Sequence, residues 1–117
     1  MEVKVNLKFK KNEEIILDFR NKKAELENNI LTIIIENYQY IVDLNNQLFI
    51  RENEEFYFKM DIKNKKAVYN LKELDKIFDI KVKYSELKNK NNLYNIKYKL
   101  ETEESINHLL IKILEQK

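Results

Sequence analysis

The residues of this chain that could do acid–base or nucleophilic chemistry are few. One histidine, His108, stands three positions after Ser105, and Ser85 and Ser105 are the only serines. A Ser–His pair acts as nucleophile and base only with a third, orienting group and a set of oxyanion donors, and no nucleophile-elbow motif surrounds either serine. Paired carboxylates can divide acid and base roles when burial separates their pKa values. The pairs here, Glu13-Glu14, Glu54-Glu55 and Glu103-Glu104, fall in polar stretches that read as turns, where they serve as solvated charges. With a single histidine and no cysteine there is no thiolate zinc set and no thiol nucleophile. With no glycine there is no phosphate-cradling loop, no dinucleotide fingerprint and no calcium loop of the usual kind. No catalytic residue, metal ligand or cofactor is assigned, and no enzymatic activity is expected.

Binding chemistry is better represented. Lys81 and Lys83 alternate along one segment, and Lys97 and Lys99 along the next. On two paired strands the four ammonium groups are expected side by side, a basic patch able to attract phosphate. No outward aromatic is interleaved with them for base stacking, and the chain has only two arginines, so nucleic acid is disfavoured as a partner. Lysines on an outer face also discourage strand addition between molecules. The aromatic residues Phe56, Phe58, Phe78, Tyr84, Tyr94 and Tyr98 all fall on apolar phases of alternating segments. They are expected to face the interior, either filling a core or lining a cavity for a small apolar ligand.

The elements that would position these side chains follow from period two. Val3, Val5, Leu7 and Phe9 alternate with Lys4, Asn6, Lys8 and Lys10, the mark of a strand with one apolar and one polar face. The pattern recurs at Ile15, Leu17 and Phe19; at Ala24 and Leu26; at Leu31, Ile33 and Ile35; at Tyr40 and Val42; at Leu48 and Ile50; and at Phe56, Phe58, Met60 and Ile62. It is clearest at Phe78, Ile80, Val82 and Tyr84 and at Tyr94, Ile96, Tyr98 and Leu100. Short polar stretches rich in asparagine separate the runs. Asparagine tolerates positive φ best after glycine, so in a glycine-free chain it must supply the tight turns. Asn28 or Asn29, Asn45 or Asn46, and one of Asn89, Asn91 and Asn92 are therefore expected at positive φ. The spacing predicts one all-β antiparallel meander, a sandwich or barrel, over the 117 residues.

Two segments compete with that pattern. Leu71, Leu74, Ile77 and Phe78 are spaced for a short helical turn, and Ile106, Leu109, Leu110, Ile113 and Leu114 for an amphipathic helix. The second stretch alternates as a strand equally well. Ile30 and Ile34, and Leu110 and Leu114, lie on the polar phase of their segments, and an exposed apolar face of this kind predicts a homodimer or another protein partner.

From Val68 to Ile113 the chain resembles the YwiB-like family of bacterial proteins, which are small calycin or lipocalin-like barrels. The motifs are Phe78-x-Ile80-x-Val82-x-Tyr84, then Tyr94-x-Ile96-x-Tyr98-x-Leu100, then Leu109-x-Ile111-x-Ile113, and Ile15 to Arg20 fits an early strand ending in a Phe-Arg pair. The sequence departs from the family at Tyr84, where threonine is usual, and lacks the Thr-Pro and Gly that precede the first motif. The resemblance implies a single calycin-like barrel of eight to ten strands ending in a strand. It also implies a non-enzymatic function, the binding of a small apolar ligand or lipid. A filled barrel acting through its exposed Ile and Leu residues is the alternative.

Charge and hydropathy set the remaining bounds. The 22 basic and 20 acidic residues nearly cancel, leaving a net charge of +2. The first residues alternate instead of forming an apolar run, so no secretory signal is read there, and no stretch approaches the ~20 apolar residues of a membrane helix. A cytoplasmic protein is expected.

Overall fold

The computed structural model describes residues 1–114. They form ten antiparallel strands and no helix. In chain order these are β1 (Glu2–Lys11), β2 (Glu14–Glu27), β3 (Ile30–Ile35), β4 (Tyr38–Asp43), β5 (Leu48–Glu52), β6 (Phe56–Asp61), β7 (Lys66–Leu71), β8 (Lys76–Lys90), β9 (Leu93–Leu100) and β10 (Asn107–Leu114). Each strand pairs with its neighbours in sequence, and β1 also pairs with β10, from Lys4 opposite Leu114 to Lys11 opposite Asn107. The result is a closed meander barrel, lipocalin-like in architecture, in which β2 pairs with β3 only over Ala24–Glu27 and β8 with β7 only over Lys76–Lys81, so the remainder of each long strand is paired on one edge alone. Residues Asn107–Leu114 thus resolve as strand, because their alternating face meets β1 and β9 on both sides.

The turns show how a chain without glycine makes hairpins. Asn12 and Glu13, Asn28 and Asn29, and Asn91 and Asn92 form two-residue connections with both residues at positive φ, between 51° and 69°. Such turns match the right-handed twist of the strands they join. The β4–β5 and β6–β7 connections use a different device, employed twice. The Asp43 carboxylate accepts from the Asn45 and Asn46 backbone N–H groups and the Asn46 side chain, and Asp61 accepts from the Asn64 backbone and side chain. Positive φ in these turns falls on Gln47 and Lys65, so the expectation for Asn45 or Asn46 fails. The carboxylate organises the turn, and the left-handed residue is the one that re-enters the strand. The helical spacing at Leu71–Phe78 is also overturned. Residues 72–75 form the β7–β8 hairpin turn, with Asp75 at φ 48°, while Leu71 and Ile77 lie in strands.

Three β-bulges break the strict alternation. Between Val5/Leu7 of β1 and the facing Lys22/Phe19 of β2, an extra residue is absorbed around Asn21, whose N–H donates to Asn6 Oδ1 at 2.9 Å. A second bulge, at Phe9/Lys10, turns Ile15 outward to 51% exposure, against its expected inward position. A third lies between Val82 and Tyr84. A bulge inserts one residue on one strand and so reverses which side chains face the core beyond it.

The interior is asymmetric along the barrel axis. Val5, Leu7, Leu31, Ile33, Met60 and Ile111 are almost completely buried and fill the middle and one end. There the turns are tied together by Leu44 N–H donating to Asn29 O, Ile62 N–H to Gln47 O and Ile113 N–H to Asn92 O. The opposite end gathers the β1–β2, β3–β4, β5–β6, β7–β8 and β9–β10 connections and is open.

Candidate functional site

At the open end the interior widens into a cavity of about 400 Å³. Its floor is Phe49, Phe58 and Leu109, its wall includes Phe9, Leu17 and Ile80, and Tyr40, Phe56, Tyr69 and Tyr98 close around it. The aromatic rings pack on one another: Phe56 stacks on Tyr69 at 5.6 Å between centroids, and Phe58 lies 6.0 Å from Tyr98. A barrel of eight strands is just wide enough to fill or to hold one small ligand, and ten strands leave more room. The volume falls in the range of about 300–1,000 Å³ usual for small-molecule sites.

Three charged residues line the cavity: Lys11, Arg51 and Glu103. Lys11 and Glu103 pair at 3.1 Å, and Glu103 also accepts a short hydrogen bond from the Asn107 amide. Arg51 stands on the inward phase of β5, opposite Tyr40 on one side and Phe58 on the other. Its guanidinium carbon is 4.8 Å from the Tyr38 ring centroid, 5.5 Å from Phe56 and 5.8 Å from Tyr40. Its Nε is buried without a hydrogen-bond partner among the described residues. Burial raises the Tyr98 phenol far above its ordinary pKa, Glu103 adding to the effect and Arg51 opposing it. Burial likewise raises Tyr40, with Arg51 in partial opposition. Both phenols are therefore neutral hydroxyls.

The mouth is held by two sets of contacts. Asn12 joins the β1–β2 turn to the β9–β10 connection: its N–H donates to Ile106 O, its Oδ1 accepts from Ile106 N–H, and its Nδ2 donates to Ser105 Oγ. Lys72 joins the β7–β8 turn to the β5–β6 turn through Glu52 and the Asn53 carbonyl, while its N–H donates to Glu55 O. Asn53 caps the second of these turns, its Oδ1 accepting from the Glu55 and Phe56 N–H groups. Ile15, Ile16, Leu74, Ile77, Phe78 and Ile106 are exposed at this same end, outside the cavity lining.

Of the six aromatic residues expected inside, Phe56, Phe58 and Tyr98 line the cavity. Tyr94 is buried on the closed side, opposite Ile111 and Asn89, and is not part of the wall. Phe78 has the phase of Ile80 and faces Tyr69 in register, but it sits at the rim and is 46% exposed. Tyr84 faces outward, because the bulge after Val82 gives the inward positions to Ser85 and Leu87, opposite Tyr98 and Ile96. Ser85 then donates its hydroxyl to Ile62 O at 2.7 Å.

Other surface expectations shift for similar reasons. Lys97 lies opposite Glu86 and Lys99 opposite Tyr84, while Lys81 faces Lys66 on β7, so none of the four lysines is paired with another of them across the β8–β9 ladder. His108 is outward but half-buried and bonded to Asn95 Oδ1 at 2.6 Å, and Ser105 bonds to Asn12, so serine and histidine have separate partners. Ile34 is exposed, facing Gln39, while Leu110 lies between Lys8 and Asn95 and Leu114 opposite Lys4. No group of three or more histidine, aspartate or glutamate residues is placed to hold a metal ion among the described residues. No helix among them is long and apolar enough to cross a membrane.

Arg51 and Phe49 are site residues that alternation missed. Leu48-Phe49-Ile50 is apolar at three consecutive positions, so either phase could face inward, and the expected phase, Leu48 and Ile50, is the outer one. Pairing with Val42 and Met60, both buried, sets Phe49 and hence Arg51 inside. The fold and the site together define a closed antiparallel meander barrel with an open, aromatic-lined cavity. No protein-family model, curated protein or solved structure matches the chain.

Proposed function

We infer that the protein is a non-enzymatic binding barrel that holds one small, largely apolar ligand in the cavity at its open end. The observation that carries this reading is the cavity itself, about 400 Å³ walled mainly by aromatic and aliphatic side chains in a barrel whose other end is densely filled. An aromatic enclosure of this size offers a ligand burial worth about 0.8 kcal/mol per methylene removed from water. The exposed apolar side chains at the same end support the same reading, since they add apolar surface beside the entrance. Its resemblance to lipocalin-like barrels agrees with it. The test is native mass spectrometry of protein purified from its own host, followed by organic extraction. A stoichiometric small molecule is expected, and a mass equal to the bare chain in every preparation, with no uptake of added octanol, overturns the reading.

A further inference from the structure

Arg51 places a cation in the cavity lining that no carboxylate among the described residues pairs with. Among the described residues it makes no ion pair, and its Nε is buried with no acceptor. The rings of Tyr38, Phe56 and Tyr40 attract the guanidinium through their faces, but a ring face does not accept the Nε–H bond that water would have accepted. Glu103, the only carboxylate lining the cavity, is already engaged by Lys11 and Asn107. The lining therefore carries two cations against one anion, and the unmatched cation sits beside the apolar floor of Phe49 and Phe58. A guanidinium has a planar fork of donors that matches the two oxygens of a carboxylate. Water alone could hydrate the group, but an apolar cavity around a half-buried guanidinium whose Nε has no acceptor suits a molecule with both an anionic head and an apolar body.

We propose that the ligand is an amphipathic monocarboxylate whose head group pairs with Arg51 while its hydrocarbon lies against Phe49, Phe58 and Leu109. This rests on the apolar-ligand reading above and specifies its chemistry. The pair is charge-assisted, so it contributes roughly 10- to 100-fold in affinity.

The test uses octanoate and octanol, which share one apolar body, titrated by calorimetry into the full chain and into Arg51→Met and Arg51→Lys variants. Octanoate is expected to bind the wild type, to lose at least about tenfold with Arg51→Met, and to recover in part with Arg51→Lys, while octanol changes little. The Arg51 Nε–H proton resonance gives a readout that does not depend on any variant folding. It is expected to move on adding octanoate and to stay in place on adding octanol. Equal binding of octanoate to wild type and Arg51→Met, or an unmoved Nε–H signal at saturation, overturns the carboxylate assignment and leaves the apolar-ligand reading intact. Failure of both probes to bind the wild type overturns both.

Discussion

Replacing Glu13 by glycine is expected to stabilise the barrel, although it removes a charged side chain and adds the residue most costly to order. Glu13 is the second residue of the β1–β2 turn and holds φ at 69°, with Asn12 before it at 51°. For a residue with a Cβ the left-handed region costs about 1–2 kcal/mol, and Glu lacks the short polar side chain that lets Asn offset it. Glycine removes that strain and returns about 0.5–1 kcal/mol through the greater freedom of the unfolded chain. The lost side chain matters little: Glu13 is highly exposed and approaches Lys10 only at 4.0 Å, an ion pair of negligible worth. The net gain is about 0.5–1 kcal/mol, or a rise of about 2–5 °C in Tm for a domain of this size. Thermal and urea unfolding followed by circular dichroism measure it, with Glu14→Gly as the control. Glu14 is the first residue of β2, its φ is not positive, and glycine there is expected to cost about 0.5–1 kcal/mol. If Glu13→Gly is as destabilising as Glu14→Gly, the two-residue turn at Asn12-Glu13 is wrong, and with it the register of the first hairpin.

Two further perturbations test the turns and the outer face. Asp43→Ala is expected to cost about 1–3 kcal/mol by removing the acceptor for two backbone N–H groups and the Asn46 amide. Asp61→Ala, with one backbone N–H and one amide to lose, is expected to cost less; a larger loss at Asp61 in chemical denaturation would contradict the hydrogen-bond account. Burial, together with the Lys97 and Lys10 charges, holds His108 below its ordinary value of 6.5, with Glu13 and Glu86 in opposition. The unfolded chain then takes up its proton first as pH falls, so His108 is expected to subtract stability progressively below about pH 6.5, and none above it. His108→Gln is expected to flatten stability between pH 7 and 5, measured by urea midpoints. The hydrogen-bonded carboxylates of Asp43 and Asp61 are held below their ordinary 3.8, so their contribution is complete above that value and is lost only in stronger acid.

Much of this architecture was legible in the sequence. The alternation in β1, β3, β4, β6 and β9 matches the buried faces because successive side chains of a strand project to opposite sides, and one side meets the core. Asn28-Asn29 and Asn91-Asn92 were readable as hairpin turns because asparagine is the cheapest substitute for glycine at positive φ. Phe56, Phe58 and Tyr98 were readable as interior residues by the same alternation. Arg51 was not, since a lone arginine after three apolar residues looks like the polar end of a strand.

The sequence by itself determined the all-β class, the meander order and most of the turns, for those follow from local steric and periodic rules that act over a few residues. Only the tertiary structure decided the phase of β5, the outward position of Tyr84 and the half-empty interior. Each depends on a bulge or a register, and a register is chosen by the neighbouring strands: Val42 and Met60 put Arg51 inside, and β9 put Tyr84 outside. The cavity is a property of closure, because only when β1 meets β10 is the barrel's width fixed and the Arg51 guanidinium brought to the cavity with its aromatic neighbours.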